Sequence, residues 1–316
     1  MSFARYCGLF AFSCALSIVS CVFLIPLLKK IHAGQNILSY VKEHKNKSGT
    51  PTMGGLAFVL ASIVATFAFS KTVNRTLLVS LVVGVGYMFV GALDDFLKMK
   101  RKENLGLTPL QKIVFQILVA TFASAYAVRA GLTDIYIPFF DVKIDIGLWL
   151  FPLSAFVFLA TVNCVNLTDG LDGLAAGVCV PFFLFFGILT ANFENGLSIL
   201  SVALAAALVG YLVFNTSPAS VFMGDTGSLA LGGFAACIGV FSGNALYIAL
   251  VGIVFVVSGA SVIIQVIYFK CTAGKRVFKM TPIHHHFQQC GYSETKIAYA
   301  YFTVTLLAAV VCLIFI

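Results

Sequence analysis

Long apolar segments recur along the whole chain, and they constrain its fold more than any other feature. Of the 316 residues, 60% are hydrophobic and 10% are charged, whereas soluble domains carry about 25% charged residues. A helix needs about 20 mostly apolar residues to cross a bilayer. The sequence therefore predicts an all-α polytopic membrane protein with a single integral membrane domain, 1–316. About ten spans are expected: 7–31, 53–70, 76–94, 109–129, 147–165, 173–191, 197–214, 228–243, 245–269 and 297–316.

The basic residues predict how these spans are oriented. Fifteen of the 20 lysines and arginines lie in or beside one set of alternate loops, and five lie on the other side. Because Lys and Arg are enriched in cytoplasmic loops, the rich side is expected to face the cytoplasm, with both termini on the outer side. The net charge of +8 then reflects membrane topology, and no nucleic-acid partner is predicted.

One outer loop has a pattern of its own. In DIYIPFFDVKIDIGL, apolar residues alternate on both sides of Asp141, which is typical of a small β-hairpin. We interpret it as a structural cap on the outer face.

Five carboxylates lie near helix ends on the basic side: Asp94 and Asp95 in GALDDFLK, Asp169 and Asp172 in NLTDGLDG, and Asp225 in VFMGDTGS. Carboxylates near a bilayer are costly unless they are paired, hydrated or bound to a cation. A single one would be interpreted as a helix cap or a solvated end, but five in three loops favour a common site. An oxygen-seeking ion such as Mg²⁺ suits this set better than zinc. Amide side chains accompany the acids: Asn163, Asn166 and Asn215.

Two further segments on this side carry groups suited to an anion. NKSGTPTMGG has Lys47, Thr50 and Thr52 among glycines, which is either a flexible turn or a set of donors facing an anionic ligand. KMTPIHHHF contains three of the five histidines of the chain, residues 284–286. Three neighbouring imidazoles on one helix or strand cannot all face one ion. We therefore predict that they donate hydrogen bonds or positive charge near an anionic pocket.

Five motifs together resemble the MraY family, the phospho-N-acetylmuramoyl-pentapeptide transferases of the polyprenyl-phosphate N-acetylhexosamine-1-phosphate transferase superfamily. They match in order and spacing: SGTPTMGG, GALDDFLK, NLTDGLDGLA, VFMGDTGSLALGG and KMTPIHHHF. The resemblance covers essentially the whole chain. It implies ten transmembrane helices, a requirement for Mg²⁺, a homodimer, and an active site on the cytoplasmic face of the bacterial inner membrane. The site is expected to form from segments near 32–52, 94–112, 163–173, 215–228 and 270–296.

The resemblance also implies the reaction. The family transfers phospho-N-acetylmuramoyl-pentapeptide from UDP-MurNAc-pentapeptide to the membrane lipid undecaprenyl phosphate. The products are UMP and lipid I, the first membrane-bound intermediate of peptidoglycan synthesis.

The family's functional positions fall on the segments already described. The resemblance implies that Asp225 binds magnesium and that Asp94 and Asp95 form an essential acidic pair, with Asp94 as the proposed base. His284 matches an essential histidine, and Phe222 matches the aromatic residue that stacks on uracil. The other implied positions contact the nucleotide, the diphosphate or the substrate: Lys47, Thr52, Lys112, Asn166, Leu167, Asp169, Asp172, Asn215, His285 and His286.

The sequence leaves alternatives open. A sister transferase could use UDP-N-acetylglucosamine with the same lipid. A transporter is a second alternative, although transporters tend to place ionisable residues near the bilayer midplane. The transfer itself could be direct, by in-line attack of the lipid phosphate, or could pass through an aspartyl-phosphate on Asp95 or Asp225.

Overall fold

A computed structural model provides the fold and describes residues 2–31, 49–101, 106–193 and 196–315. Predicted site residue Lys47 lies outside these ranges. Within them, twelve α-helices follow one another: α1 (Phe3–Lys30), α2 (Gly55–Phe69), α3 (Arg75–Arg101), α4 (Pro109–Arg129), α5 (Leu150–Thr168), α6 (Leu174–Leu189), α7 (Leu197–Asn215), α8 (Gly224–Phe241), α9 (Ala245–Val251), α10 (Ile253–Cys271), α11 (Ile283–Gln289) and α12 (Glu294–Ile314).

Eleven of these helices are apolar and fall in the ten predicted spans, with α9 and α10 together in the span 245–269. Eight are long and apolar enough to cross a membrane, while α2 and α6 are shorter, with 15 and 16 residues. Large apolar side chains on the outside of the bundle, such as Phe89, Leu118, Phe156 and Ile263, are more than half exposed. Such a surface suits lipid and not water. The prediction of an all-α polytopic membrane protein is confirmed.

Two predicted boundaries are wrong. The span 245–269 is interrupted at Gly252, which separates α9 from α10. Helix α3 was expected to end at 94 but continues to Arg101. Asp94 and Asp95 therefore lie on the helix itself, and Lys98 follows them one turn later.

Helix α8 forms the centre of the bundle. Every residue from Thr226 to Phe241 is buried, and the helix packs against α3 and α5. Its many small residues permit this close packing. On α3, Gly91 lies directly against the backbone carbonyl of Asp225, where a Cβ atom would not fit. This close approach brings the carboxylates of α3 and α8 together.

The predicted hairpin is confirmed. Strands β1 (Asp134–Ile137) and β2 (Val142–Asp145) pair antiparallel, and Asp141 lies in the turn with φ of 49°. The amide of Tyr136 donates to the carbonyl of Gly243 over 2.8 Å. The hairpin therefore rests on the connection between α8 and α9, at the opposite end of α8 from Asp225.

Candidate active site

Three carboxylates from α3 and α8 meet at one end of the bundle. One oxygen each of Asp94, Asp95 and Asp225 lies within 4.8 Å of the others. Asp94 and Asp95 are 2% and 3% exposed, and Asp225 is half-buried. Like charges this close repel one another unless cations compensate. The cluster therefore requires positive charge.

Two lysines supply part of that charge. The Nζ atom of Lys98 lies 2.6 Å from Asp94 Oδ2 and 3.0 Å from Asp225 Oδ2. Lys112, from α4, places its Nζ atom 2.8 Å from the same Asp225 oxygen. The predicted contribution of Lys112 to the site thus has a defined place, next to Asp225.

Asp95 has a different role from its neighbour. Its carboxylate accepts hydrogen bonds from the backbone amides of Asp225 (3.2 Å) and Thr226 (2.9 Å) and from the Thr226 hydroxyl (2.7 Å). These amides belong to the first turn of α8, where a negative charge is favoured by the helix dipole. Asp95 therefore fixes the start of α8 and, with it, the position of Asp225. Asp94 instead accepts from the amide of Leu107 over 2.7 Å.

Asn166, on the last turn of α5, orients the remaining oxygen of Asp225. Its Nδ2 atom donates to Asp225 Oδ1 over 2.7 Å and to the Ser228 hydroxyl over 2.8 Å. Asn163, one turn earlier, forms an amide pair with Gln116 of α4, with Nδ2 to Oε1 at 2.8 Å. Asn166 thus joins the site, whereas Asn163 links two helices.

The turn between α5 and α6 contributes Asp169 and Asp172. Burial raises the pKa of Asp169 well above its usual range, and the negative charges of Asp225, Asp95 and Asp172 raise it further. Asp172 is buried, and its Oδ2 atom accepts from the amide of Ala219 over 3.0 Å. It thereby holds the loop that leads into α8.

The segment that precedes α2 docks on the start of α8. The amide of Phe222 donates to the carbonyl of Pro51 (2.8 Å), and the amide of Gly54 donates back to the carbonyl of Phe222 (2.9 Å). Thr52 is buried, and its hydroxyl lies so near Gly224 that a Cβ atom on that glycine would not fit. Thr52 and Phe222 therefore lie next to the start of α8, where Asp225 is located.

Two other predicted positions have simpler surroundings. Asn215 is buried and donates from Nδ2 to the carbonyl of Val221 over 2.9 Å, which closes the loop between α7 and α8. Leu167 is half-buried on the last turn of α5.

The three histidines lie on the short helix α11, where the ring centroids of His284 and His285 are 4.3 Å apart. His284 is fully buried, with its Nε2 atom against Gly170, where a Cβ atom would not fit. The Nδ1 atom of His285 is 3.1 Å from Gln288 Oε1. His286 Nδ1 accepts from the backbone amide of Lys279 over 3.1 Å. His286 therefore faces the preceding loop, and the three rings do not converge on one point.

His284 is neutral at physiological pH. Burial lowers its pKa from 6.5 to about 3, and the neighbouring His285 lowers it in the same direction. Within the described part of the chain, neither ring nitrogen has a hydrogen-bond partner. Burial thus disfavours a positive charge on His284, and packing against Gly170 is its observed contact. A hydrogen bond from its ring to a bound phosphate stays a prediction.

This burial predicts a pH dependence of stability. Between about pH 6.5 and pH 3 the unfolded chain binds a proton on residue 284 that the folded chain does not bind, so stability falls as the pH is lowered through that window. Lowering the pH from 7 to 5 should cost about 2 kcal/mol through this one group. The variant His284→Gln should lose this pH-dependent part of the free energy of unfolding. Thermal unfolding in detergent at pH 7 and at pH 5 measures the difference. The control, His286→Gln, keeps the buried ring and should retain the wild-type pH dependence. Equal pH dependence in all three proteins would refute a neutral buried His284.

The donor set fits a hard divalent cation. Three carboxylates offer oxygens from one small volume, and no cysteine or histidine is part of that group of three. Oxygen ligands of this kind are the ones Mg²⁺ prefers. Of the three carboxylates, Asp225 is the one that contacts both Lys98 and Lys112.

The structure also identifies site residues that the sequence interpretation missed. Lys98 could have been found from its spacing, four residues after Asp94 on one helix, had α3 been extended past 94. Thr226 of α8 contacts Asp95 of α3, and Ser228 of α8 contacts Asn166 of α5. These residues are far apart in the sequence, so no local spacing indicates the contacts. Glu294, at the start of α12, accepts a hydrogen bond from the amide of Asp172 over 3.3 Å.

Fold and site together define a class. A bundle of membrane-crossing helices that gathers carboxylates, lysines and amides at one end is suited to a membrane enzyme that acts on phosphorylated groups, because carboxylates can bind a cation and lysines can compensate phosphate charge. Comparison with known proteins specifies that class. The chain matches the family model described as glycosyl transferase family 4 over residues 77–243. It also matches phospho-N-acetylmuramoyl-pentapeptide-transferase signature 1 over residues 47–59.

Curated relatives cover nearly the whole chain, and each bears the name phospho-N-acetylmuramoyl-pentapeptide-transferase. One from Clostridium perfringens (strain SM101 / Type A) is 47% identical, over 89% of this chain and 88% of its own. One from Thermoanaerobacter sp. (strain X514) is 45% identical, over 93% of both chains. One from Clostridium botulinum (strain Eklund 17B / Type B) is 44% identical, over 96% of this chain and 92% of its own. The chain belongs to the phospho-N-acetylmuramoyl-pentapeptide transferase family, and it is a multi-pass bacterial membrane protein.

Proposed function

We propose that the chain transfers phospho-N-acetylmuramoyl-pentapeptide from UDP-MurNAc-pentapeptide to undecaprenyl phosphate, which yields UMP and lipid I in peptidoglycan synthesis. The observation that carries the proposal is the meeting of Asp94, Asp95 and Asp225 with Lys98 and Lys112 at one end of the bundle. Substrate identity rests on family membership.

We propose that the site requires Mg²⁺, held by Asp225 with Asp94 beside it. When bound, the ion would neutralise diphosphate oxygens and stabilise the charge that develops during transfer. Asp95 is already committed to the first turn of α8, so its task is to hold Asp225 in place.

The remaining catalysis is positional and electrostatic. Both substrates are anions, and a phosphate monoester is largely ionised near pH 7, so a general base contributes less than charge compensation. Lys98 and Lys112 can move from Asp225 to phosphate oxygens when the substrates enter. Direct attack by a lipid phosphate oxygen on the β-phosphorus of the UDP-sugar needs no covalent intermediate, and UMP is the leaving group. Trapping a phospho-sugar on the enzyme without lipid would favour the two-step route instead.

Location and assembly follow from the same proposal. The site then faces the cytoplasm and the chain resides in the inner membrane, because fifteen of its 20 lysines and arginines lie on the same side as the carboxylates. We further propose a homodimer, on the basis of the family resemblance.

The choice of UDP-sugar tests the function. Purified enzyme with undecaprenyl phosphate should release UMP from UDP-MurNAc-pentapeptide and not from UDP-N-acetylglucosamine, and EDTA should stop the release. Preference for UDP-N-acetylglucosamine would support the sister transferase. Uptake of a solute into vesicles without UMP release would support a transporter.

A further inference from the structure

Glu294 connects two parts of the candidate site, although it lies outside the carboxylate cluster. It is the first residue of α12. Its Oε2 atom accepts from the backbone amide of Asp172 over 3.3 Å, and its Oε1 atom accepts from Gln288 Nε2 over 3.3 Å. One side chain thus bridges the turn between α5 and α6 and the last turn of α11.

The connection continues in both directions. Gln288 lies 3.1 Å from His285, between Oε1 and Nδ1. On the other side, Asp172 holds the amide of Ala219 in the loop before α8. Asp172 and Gln288 are both buried, where hydrogen bonds are stronger than in water and expensive to lose.

A second contact brings the same two segments together. His284 packs against Gly170 so closely that no Cβ atom would fit on that glycine. The α5–α6 turn (residues 169–173) is therefore supported twice, by the His284 ring and by the Glu294 carboxylate. This turn carries Asp169, whose pKa is raised by the negative charges of Asp225 and Asp95.

We propose that Glu294 is a positioning residue that clamps the α5–α6 turn to the histidine helix α11, and so fixes Asp169 and Asp172 for binding of the diphosphate substrate. The inference rests on the proposed function. Through Glu294, the histidine helix α11 is then connected to the α5–α6 turn and so to the candidate site.

Glu294 could also stabilise helix α12 itself, which is a different role from positioning the α5–α6 turn. An acidic residue in the first turn of a helix stabilises that helix through its dipole, and Ser293 caps the same helix by accepting from the amide of Lys296 over 3.4 Å. Ser293→Ala weakens the start of α12 and leaves both Glu294 contacts in place. It is therefore the matched control.

Kinetics test the proposal. Glu294→Ala should lower kcat/KM for the UDP-sugar by about 10- to 100-fold, chiefly through a raised KM. Glu294→Gln, which keeps one acceptor oxygen, should be intermediate, and Gln288→Leu should resemble it. Ser293→Ala should stay within about threefold of the wild type, although its thermal midpoint falls as well. An equal kinetic loss in Ser293→Ala and Glu294→Ala would overturn the proposal.

Hydrogen exchange provides a readout that does not depend on catalysis. In the detergent-solubilised full chain, Glu294→Ala should accelerate exchange in 169–174 and 283–290, whereas Ser293→Ala should affect only the start of α12. Unchanged exchange in 169–174 in Glu294→Ala would overturn the clamp. If the wild type released no UMP, the proposed function would fail, and the exchange result would still decide whether the clamp exists.

Discussion

Replacing Asp225 by asparagine is expected to reduce UMP release by about 10³-fold and to weaken Mg²⁺ binding. Asparagine has nearly the same shape and still presents an oxygen to Asn166. It removes the charge that Lys98 and Lys112 contact at 3.0 and 2.8 Å, so the two ammonium groups then repel an incoming cation. Magnesium titration of UMP release gives the activity, and calorimetry with the ion alone gives its affinity.

The control for this experiment is Asp141→Asn. Asp141 is an exposed carboxylate in the hairpin turn, at the opposite end of α8 from Asp225, and its replacement should leave activity within about twofold of the wild type, as is usual for surface substitutions away from the site. An Asp225→Asn enzyme that bound magnesium normally and kept at least a tenth of its activity would show that the ion is held elsewhere.

Replacing Gly91 by alanine is expected to have the second large effect. The added methyl group would collide with the backbone carbonyl of Asp225, so α3 and α8 must move apart. Overpacking of this kind costs about 1–3 kcal/mol. A 1 Å misplacement of reacting groups lowers rates by about 10²-fold, so activity should fall more than stability. Thermal unfolding and UMP release, measured on the same preparation, give both quantities.

Gly86→Ala is the matched control on the same helix. A Cβ atom at Gly86 would meet only the side chain of Val119, at 3.4 Å, which is an ordinary van der Waals contact. This variant should unfold near the wild-type temperature and retain its activity. If Gly86→Ala and Gly91→Ala were equally impaired, the loss would come from helix α3 in general and not from its contact with Asp225.

The fold was largely predictable because its main determinant is local. Membrane-crossing helices need long apolar runs, and those runs are visible without knowledge of tertiary contacts. The break at Gly252 was missed because apolar residues continue on both sides of it. The extension of α3 to Arg101 was missed because Asp94 and Asp95 resemble a helix end, although the ion pair between Asp94 and Lys98, four residues apart, is compatible with a continuing helix.

The site was predictable in its residues more than in their roles. Polar motifs near helix ends identified Asp94, Asp95 and Asp225, but the sequence does not reveal that Asp95 accepts from the first turn of α8. For His284 the sequence indicates an anionic pocket, whereas burial keeps the ring neutral. Such differences arise from contacts between helices that are distant in sequence, and no local pattern encodes them.

The mass of the lipid product tests the central claim most directly. Purified enzyme in vesicles with undecaprenyl phosphate, UDP-MurNAc-pentapeptide and Mg²⁺ should form undecaprenyl-diphospho-MurNAc-pentapeptide together with an equal amount of UMP. Without Mg²⁺, or with Asp225→Asn, neither product should accumulate. UMP release without that lipid, or lipid formation at full rate in the presence of EDTA, would contradict the account.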